Sequence, residues 1–179
     1  PIDRSMGQII NDGMDLLDAG TYKGMVIGHQ GANFCAGANL ANMIQTIEAG
    51  AWDQMDSAIK QSQDLLQRMR FSKAPVVAAP HHLTLGGGFE LVAPTAHRVA
   101  LGELYIGAVE VGVGLIPGAG GNLRMLLNLM ENSGAGRMNS FQVAQKAFET
   151  IGFAKVATSA DEAKFLGYLL KSDTIILNY

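Results

Sequence analysis

Ala74-Pro75-Val76-Val77-Ala78-Ala79, followed after Pro80-His81-His82-Leu83-Thr84 by Leu85-Gly86-Gly87-Gly88-Phe89-Glu90, decides the reading of this chain. The first run is apolar, of strand length and opened by proline, and it reads as a buried strand. The triple glycine reads as a loop. Phe89-Glu90-Leu91-Val92 begins a helix that Pro94 ends or bends. Strand, glycine loop and helix in succession are the unit of an α/β architecture.

The same grammar extends in both directions. Upstream, Gly24-Met25-Val26-Ile27-Gly28 is a short buried-strand signal. The glycine-rich turn Gly31-Ala32-Asn33-Phe34-Cys35-Ala36-Gly37 then leads into Ala38-Asn39-Leu40, where Asn39 is a good N-cap for a helix through Met43 and Ile47. Trp52, Met55, Ile59, Leu65, Leu66 and Met69 recur near a 3.6-residue period and predict a long amphipathic helix from Trp52 to Arg70. At the front of the chain, Ser5-Met6-Gly7-Gln8 has capping-box spacing ahead of Ile9, Ile10, Met14, Leu16 and Leu17, and Gly20 stops that helix. Downstream, Arg98-Val99-Ala100 predicts a third strand. A glycine-rich stretch from Gly107 to Gly121 carries Glu110 and Pro117. Helical patterns follow at residues 123–130, 141–150 and 160–169, and a strand begins near Ile175-Ile176-Leu177-Asn178-Tyr179. Neither an internal repeat nor a linker is visible, so residues 1–179 read as one domain. The opening at Pro1 and the close on a nascent strand read as a piece of a longer protein.

Composition bounds the function. With 48% hydrophobic and 16% charged residues among 179, the chain has the makings of a packed globule. A net charge of −3 with no Lys/Arg run argues against nucleic acid as a partner. The apolar stretches are too short for a membrane span, and Asp3, Asp12, Asp15 and Asp18 interrupt any secretory leader. A cytoplasmic location is expected by default. The single cysteine, Cys35, excludes an internal disulfide framework and reads as a small buried residue. His29, His81, His82 and His97 lack metal-ligand spacing, and no metal site is expected.

The chemistry concentrates in the glycine turns. Each lies between a strand and a helix start, where backbone N–H groups have no intrahelical acceptor and the helix dipole favours negative charge. Two such turns brought together would present a pair of donors to one developing oxyanion. The same clusters would equally cradle a phosphate, although neither the dinucleotide fingerprint nor a P-loop is present. Glu90 and Glu110 each follow closely on glycine-rich segments. A glutamate is ordinarily a surface residue, but a converging carboxylate pair divides acid and base roles.

Three ordered blocks resemble the crotonase (enoyl-CoA hydratase/isomerase) superfamily. They are Asn33-Phe34-Cys35-Ala36-Gly37-Ala38-Asn39-Leu40, the Ala74 to Glu90 segment quoted first, and Glu110-Val111-Gly112-Val113-Gly114-Leu115-Ile116-Pro117-Gly118-Ala119-Gly120-Gly121. The resemblance covers residues 3 to about 125 and continues more weakly through Ala160-Asp161-Glu162-Ala163-Lys164-Phe165-Leu166-Gly167. It is closest to the hydratase part of bacterial bifunctional 3-hydroxyacyl-CoA dehydrogenase/enoyl-CoA hydratase proteins.

The resemblance implies a crotonase-like (ClpP/crotonase) spiral of ββα units, truncated at both ends, that binds an acyl-CoA and hydrates 2-enoyl-CoA in β-oxidation. Ala38 and Gly87 would supply the oxyanion-hole N–H groups, and the Ala36 carbonyl would face the CoA adenine. Glu90 and Glu110 would hold the attacking water. Glu110 would protonate the α carbon, and Glu90 would orient or deprotonate the water. Residues 123–130, rich in methionine, would be core or acyl-pocket lining. No cofactor is implied beyond the thioester substrate; NAD would belong to a dehydrogenase part upstream. Trimers or hexamers are implied as the assembly. Enoyl-CoA isomerase, acyl-CoA hydrolase, or a non-catalytic CoA-binding or assembly module are the alternatives. Asn39 stands where the family has Asp, and His81-His82 where Asn-Gly is common, so His82 fills a glycine slot and would narrow the pocket or alter the turn.

Overall fold

The computed structural model describes residues 1–134 and 138–178. Its elements run α1 (Arg4–Asp18), β1 (Met25–Ile27), α2 (Leu40–Glu48), α3 (Trp52–Arg70), β2 (Val76–Ala78), β3 (His82–Leu85), α4 (Gly87–Val92), β4 (His97–Leu101) and β5 (Leu104–Gly107). A 3-10 turn, Glu110–Val113, precedes α5 (Gly121–Ser133), α6 (Ser140–Gly152), α7 (Ala160–Leu166) and β6 (Thr174–Ile176). Tyr179, the end of the expected last strand, lies outside the described residues.

The strands pair in parallel in two sheets. One has the order β1-β2-β4-β6 and the other pairs β3 with β5. Cys35 joins the smaller sheet through a parallel bridge to Thr84, and Ala157 joins it through an antiparallel bridge to Ile106. Each turn of the chain therefore lays its first strand (β1, β2, β4) in the larger sheet and its second (Cys35, β3, β5) in the smaller one. That is the expected ββα spiral. The repeat escapes a search of the sequence because it is one of geometry, carried by strands of three to five residues with different side chains.

Local physics places the elements. Helix α1 is capped by Asp3, whose side chain accepts the Met6 N–H at 2.9 Å. The expected cap at Ser5 is corrected: Ser5 lies inside the helix, and Gln8 bonds forward to Asp12. A carboxylate at Asp3 is as good an N-cap acceptor as serine and also meets the positive end of the helix. Ile10, Met14 and Leu17 form the buried stripe of α1, whereas Ile9 and Leu16 are exposed. Asn39 caps α2 as expected, accepting from Asn42 N–H. Helix α3 has the expected bounds but buries only Leu65, Leu66 and Met69, leaving Trp52 and Ile59 in solvent. Asn139, a position with no evident motif, caps α6 in a full capping box with Gln142. Strands β3 and β5 were not foreseen, because each is only four residues long and is held by pairing with segments distant in sequence.

The larger sheet is closed by a buried ion pair. Arg98 on β4 and Asp173, just before β6, are 2% and 4% exposed. The guanidinium meets Asp173 Oδ2 through Nε at 2.9 Å, and Asp173 Oδ1 accepts the Arg98 backbone N–H at 3.1 Å. Leu170 N–H adds a further donor to Oδ2 at 2.7 Å. Removing the carboxylate leaves a buried cation and two N–H groups without an acceptor. Asp173→Ala is expected to cost about 3–5 kcal/mol, seen as a large fall in Tm by thermal denaturation, with Asp173→Asn losing less.

Candidate active site

The two glycine turns meet. A side chain at Gly37 would begin 3.0 Å from the Leu85 carbonyl oxygen and 3.6 Å from the Gly87 nitrogen, and Gly37 itself has φ +92°. No L side chain fits either that space or that dihedral, so the backbone of one turn lies directly on the other. The contact brings Ala38 beside Gly87: the Ala38 nitrogen is 3.9 Å from the point where a Gly87 Cβ would stand. Neither N–H has an acceptor among the described residues. Gly87 is the first residue of α4, whose opening donors lack intrahelical partners. Ala36, on the outer side of the first turn, is exposed, and no described residue donates to its carbonyl.

Gly86 turns the chain from β3 into α4 with φ +55° and ψ −122°, a conformation closed to residues with a Cβ. Its N–H is tied to the Gly107 carbonyl at 2.7 Å, which couples the turn to the end of β5. The Glu110 carboxylate packs against it, with Oε1 3.3 Å from where a Gly86 Cβ would be. Glu110 stands at the head of the 3-10 turn, an element that no periodicity announced.

Glu90 lies in the first turn of α4, 6% exposed. Its Oε1 accepts two backbone N–H groups, from Ala119 and Gly121, each at 2.8 Å. These donors come from the loop ahead of α5 and from its first residue, so Glu90 and the start of that helix hold each other in place. Burial raises the Glu90 carboxyl above the ordinary range, against the opposing pull of the Gly121, Ala119 and Gly120 N–H groups. Burial also raises Glu110. Its own backbone N–H opposes the shift, and the charge on Glu90 adds to it. Glu110 Oε2 is buried and meets no donor among the described residues. The two carboxyls are thus unequal: Glu90 is well supplied with donors, while Glu110 is starved of them and sits in the field of its neighbour. A small cavity lined by Leu66, Gln67, Leu123 and Arg124 opens beside Glu90.

Beneath this group, Tyr168 is fully buried and packs edge-on against Phe89 at 4.9 Å. Its hydroxyl donates to the Lys155 carbonyl at 2.6 Å and accepts the Ala108 N–H at 3.2 Å, which fixes the backbone two residues ahead of Glu110. Desolvation pushes this phenol up to about 12. Nothing in the sequence marked Tyr168, because its partners are backbone groups from two distant segments.

The geometry therefore assembles four of the expected residues, Ala38, Gly87, Glu90 and Glu110, with Ala36 at the edge. Comparison with known proteins shows the family. Residues 2–164 match the family model for enoyl-CoA hydratase/isomerase.

The chain belongs to the enoyl-CoA hydratase/isomerase family.

A relative from Bacillus subtilis, named as a 3-hydroxyacyl-CoA dehydrogenase, is 43% identical over 96% of this chain but only 21% of its own length. The fatty acid oxidation complex subunit alpha of Vibrio campbellii is 37% identical over 62% of this chain and 16% of its own length. The chain thus spans about a fifth or less of these curated relatives. Among solved structures, the enoyl-CoA hydratase of Thermoplasma volcanium superposes with a TM-score of 0.78 at 26% identity, covering 99% of this chain and 63% of that one. The fold is that of the crotonase-type members of the family.

The departures from the family pattern also have a place. Asn39 still caps α2. His82 has φ +43°, so it does occupy a glycine conformation. Its ring lies beside His81, Nδ1 to Nδ1 at 3.1 Å, and 4.0 Å from Glu103. This is the far end of β3 from Gly86, about 13 Å away along the strand at its ~3.3 Å rise. No group of three or more His, Cys, Asp or Glu among the described residues is placed to hold a metal ion.

Two outcomes are expected. His82→Gly relieves a left-handed residue but gives up the ring contact with His81 and a long approach to Glu103. The backbone relief of about 1 kcal/mol is expected to outweigh these contacts, read as a raised Tm. The second concerns pH. With both carboxyls raised in the folded state, the native protein binds more protons than the unfolded chain at pH values above the ordinary 4.5. These groups therefore withdraw stability as pH rises through that range. The fall in Tm between pH 5 and 8 is expected to be shallower in Glu110→Gln than in the wild type.

Proposed function

We propose that this site hydrates 2-enoyl-CoA thioesters, adding water across the conjugated double bond in the syn sense, as a step of fatty-acid β-oxidation. The observation that carries the reading is the meeting of two N–H donors without an acceptor among the described residues, Ala38 and Gly87, with two unequal carboxyls, the buried Glu90 and the half-buried Glu110. Nucleophilic attack at the β carbon moves charge onto the thioester oxygen. Two fixed donors aimed there stabilise that charge more than they stabilise the neutral substrate, by roughly 3–4 kcal/mol per donor.

The proton inventory follows from the inequality of the acids. Both carboxyls are raised by burial; Glu90, with two N–H donors on Oε1, is the better placed to carry the negative charge, while burial, with the Glu90 charge adding to it, favours the proton on Glu110. With Oε1 occupied by Ala119 and Gly121, Glu90 Oε2 is the oxygen left to take a proton from water. The hydroxide oxygen bonds to the β carbon as Glu110 gives its proton to the α carbon, and the enolate pair returns from the oxygen to close the new C–H bond. Glu90 ends protonated and Glu110 ionised, and one proton passing back restores the starting state. The Ala36 carbonyl, exposed at the rim, is suited to accept from the CoA adenine. The substrate supplies its own activating group, so no cofactor is required. Any NAD-linked step would belong to parts of a longer protein such as the named relative.

The test is hydration of crotonyl-CoA, followed by loss of enoyl absorbance. Glu90→Gln and Glu110→Gln are each expected to lower kcat by about two to four orders of magnitude while leaving acyl-CoA binding within a few-fold. Double-bond migration in a 3-enoyl-CoA without hydration would replace this reading with an isomerase. Thioester cleavage would replace it with a hydrolase. Tight acyl-CoA binding with no turnover of any of these would leave a binding module.

A further inference from the structure

The Ala38 N–H shares one peptide unit with the Gly37 carbonyl, and none of the described peptide bonds is cis. In a planar trans peptide the two groups point in opposite directions. Whatever grips the carbonyl therefore sets the aim of the N–H. The corresponding carbonyl on the other donor, Gly86, accepts the Glu90 N–H at 3.1 Å, a bond internal to the first turn of α4. The Gly37 carbonyl has no such local partner. It is gripped from a separate segment by the Ile2 N–H at 2.8 Å, with Ile2 paired in parallel to Ala38. The same residue reaches the second turn. Its Cδ1 methyl lies 2.9 Å from the point where a Cβ on Gly87 would stand, so the Ile2 side chain rests on the Gly87 backbone. Ile2 is half-buried and packs against the core edge.

We propose that Ile2 is a positioning residue for the oxyanion donors. Its backbone N–H fixes the tilt of the Gly37–Ala38 peptide, which a glycine at φ +92° leaves otherwise free to rotate. Its side chain seats against Gly87 and sets the spacing between the two donors. Ile2 acts through Ala38 and Gly87 and touches no reacting atom. The proposal rests on the oxyanion-hole reading of those two residues.

The experiment separates the backbone from the side chain. Ile2→Pro deletes the N–H and keeps an apolar residue; Ile2→Ala keeps the N–H and deletes most of the side chain. Two readouts are needed: kcat and KM for crotonyl-CoA, and the enolate absorbance of bound acetoacetyl-CoA. The latter ligand has no double bond to hydrate, and it ionises when its thioester oxygen is polarised. Ile2→Pro is expected to lower kcat about tenfold to a hundredfold, short of the ~10²–10³ for loss of a whole donor, and to abolish the enolate band. KM should move by less than about threefold. Ile2→Ala should keep the band and lose less in kcat than Ile2→Pro. Wild-type kcat and an undiminished band in Ile2→Pro would overturn the proposal, as would bound acetoacetyl-CoA with no enolate band in the wild type. A wild type that raises the band but hydrates nothing refutes the hydratase reading alone, and loss of the band in Ile2→Pro then still establishes the positioning role. If circular dichroism shows that Ile2→Pro does not fold, amide exchange decides. Protection of the Ile2 N–H that rises on binding acetoacetyl-CoA supports the proposal, and exchange at the rate of an unstructured amide, with or without ligand, overturns it.

Discussion

The contact of one glycine turn on another, with the Leu85 carbonyl 3.0 Å from where any side chain at Gly37 would begin, is the constraint to which the rest of the chain conforms. It forces the Cys35 segment and β3 into one sheet, because Cys35 N–H and carbonyl bond to Leu83 and Leu85 on either side of the approach. It also fixes the start of α4 under the first turn. A site built from main-chain N–H groups tolerates little movement, since their direction is set by the strands and helices behind them rather than by rotamers.

The carboxyls impose a second condition. Burying two acids disfavours their charged forms, and the fold answers differently for each. Glu90 receives the N–H groups of the loop before α5, which makes that loop part of the site rather than a connector. Glu110 is left with its own N–H and a neighbouring charge. Its Oε2 meets no protein donor among the described residues. Tyr168 and the Arg98–Asp173 pair lie outside that chemistry and brace it, one by bonding the backbone ahead of Glu110 and the other by closing β4 on β6.

Much of this was readable from residues alone. The strand at Val76, the cap at Asn39 and the bounds of α3 followed from apolar runs, capping chemistry and period, all of which act within a few residues. The errors occurred where two local signals competed or where none existed. Ser5 and Asp3 are both good caps, and spacing favoured the wrong one. Strands β3 and β5 have no sequence signature separate from their pairing. The 3-10 turn at Glu110 reads as a glycine-rich loop, because what closes it is the Leu115 N–H returning to the Glu110 carbonyl.

The sequence by itself determined the α/β class, through glycine clusters and short-range periodicity encoded within segments, and the three ordered blocks whose family resemblance pointed to Ala38, Gly87, Glu90 and Glu110. Only the tertiary structure decided which groups hold these residues in place. Ala119 and Gly121 bond to Glu90 across some thirty positions, Ile2 grips the Gly37 carbonyl, and Tyr168 bonds the peptide ahead of Glu110. In each of these bonds at least one side is a backbone atom, which every residue carries alike, so the pairing is not announced by side chains in the sequence.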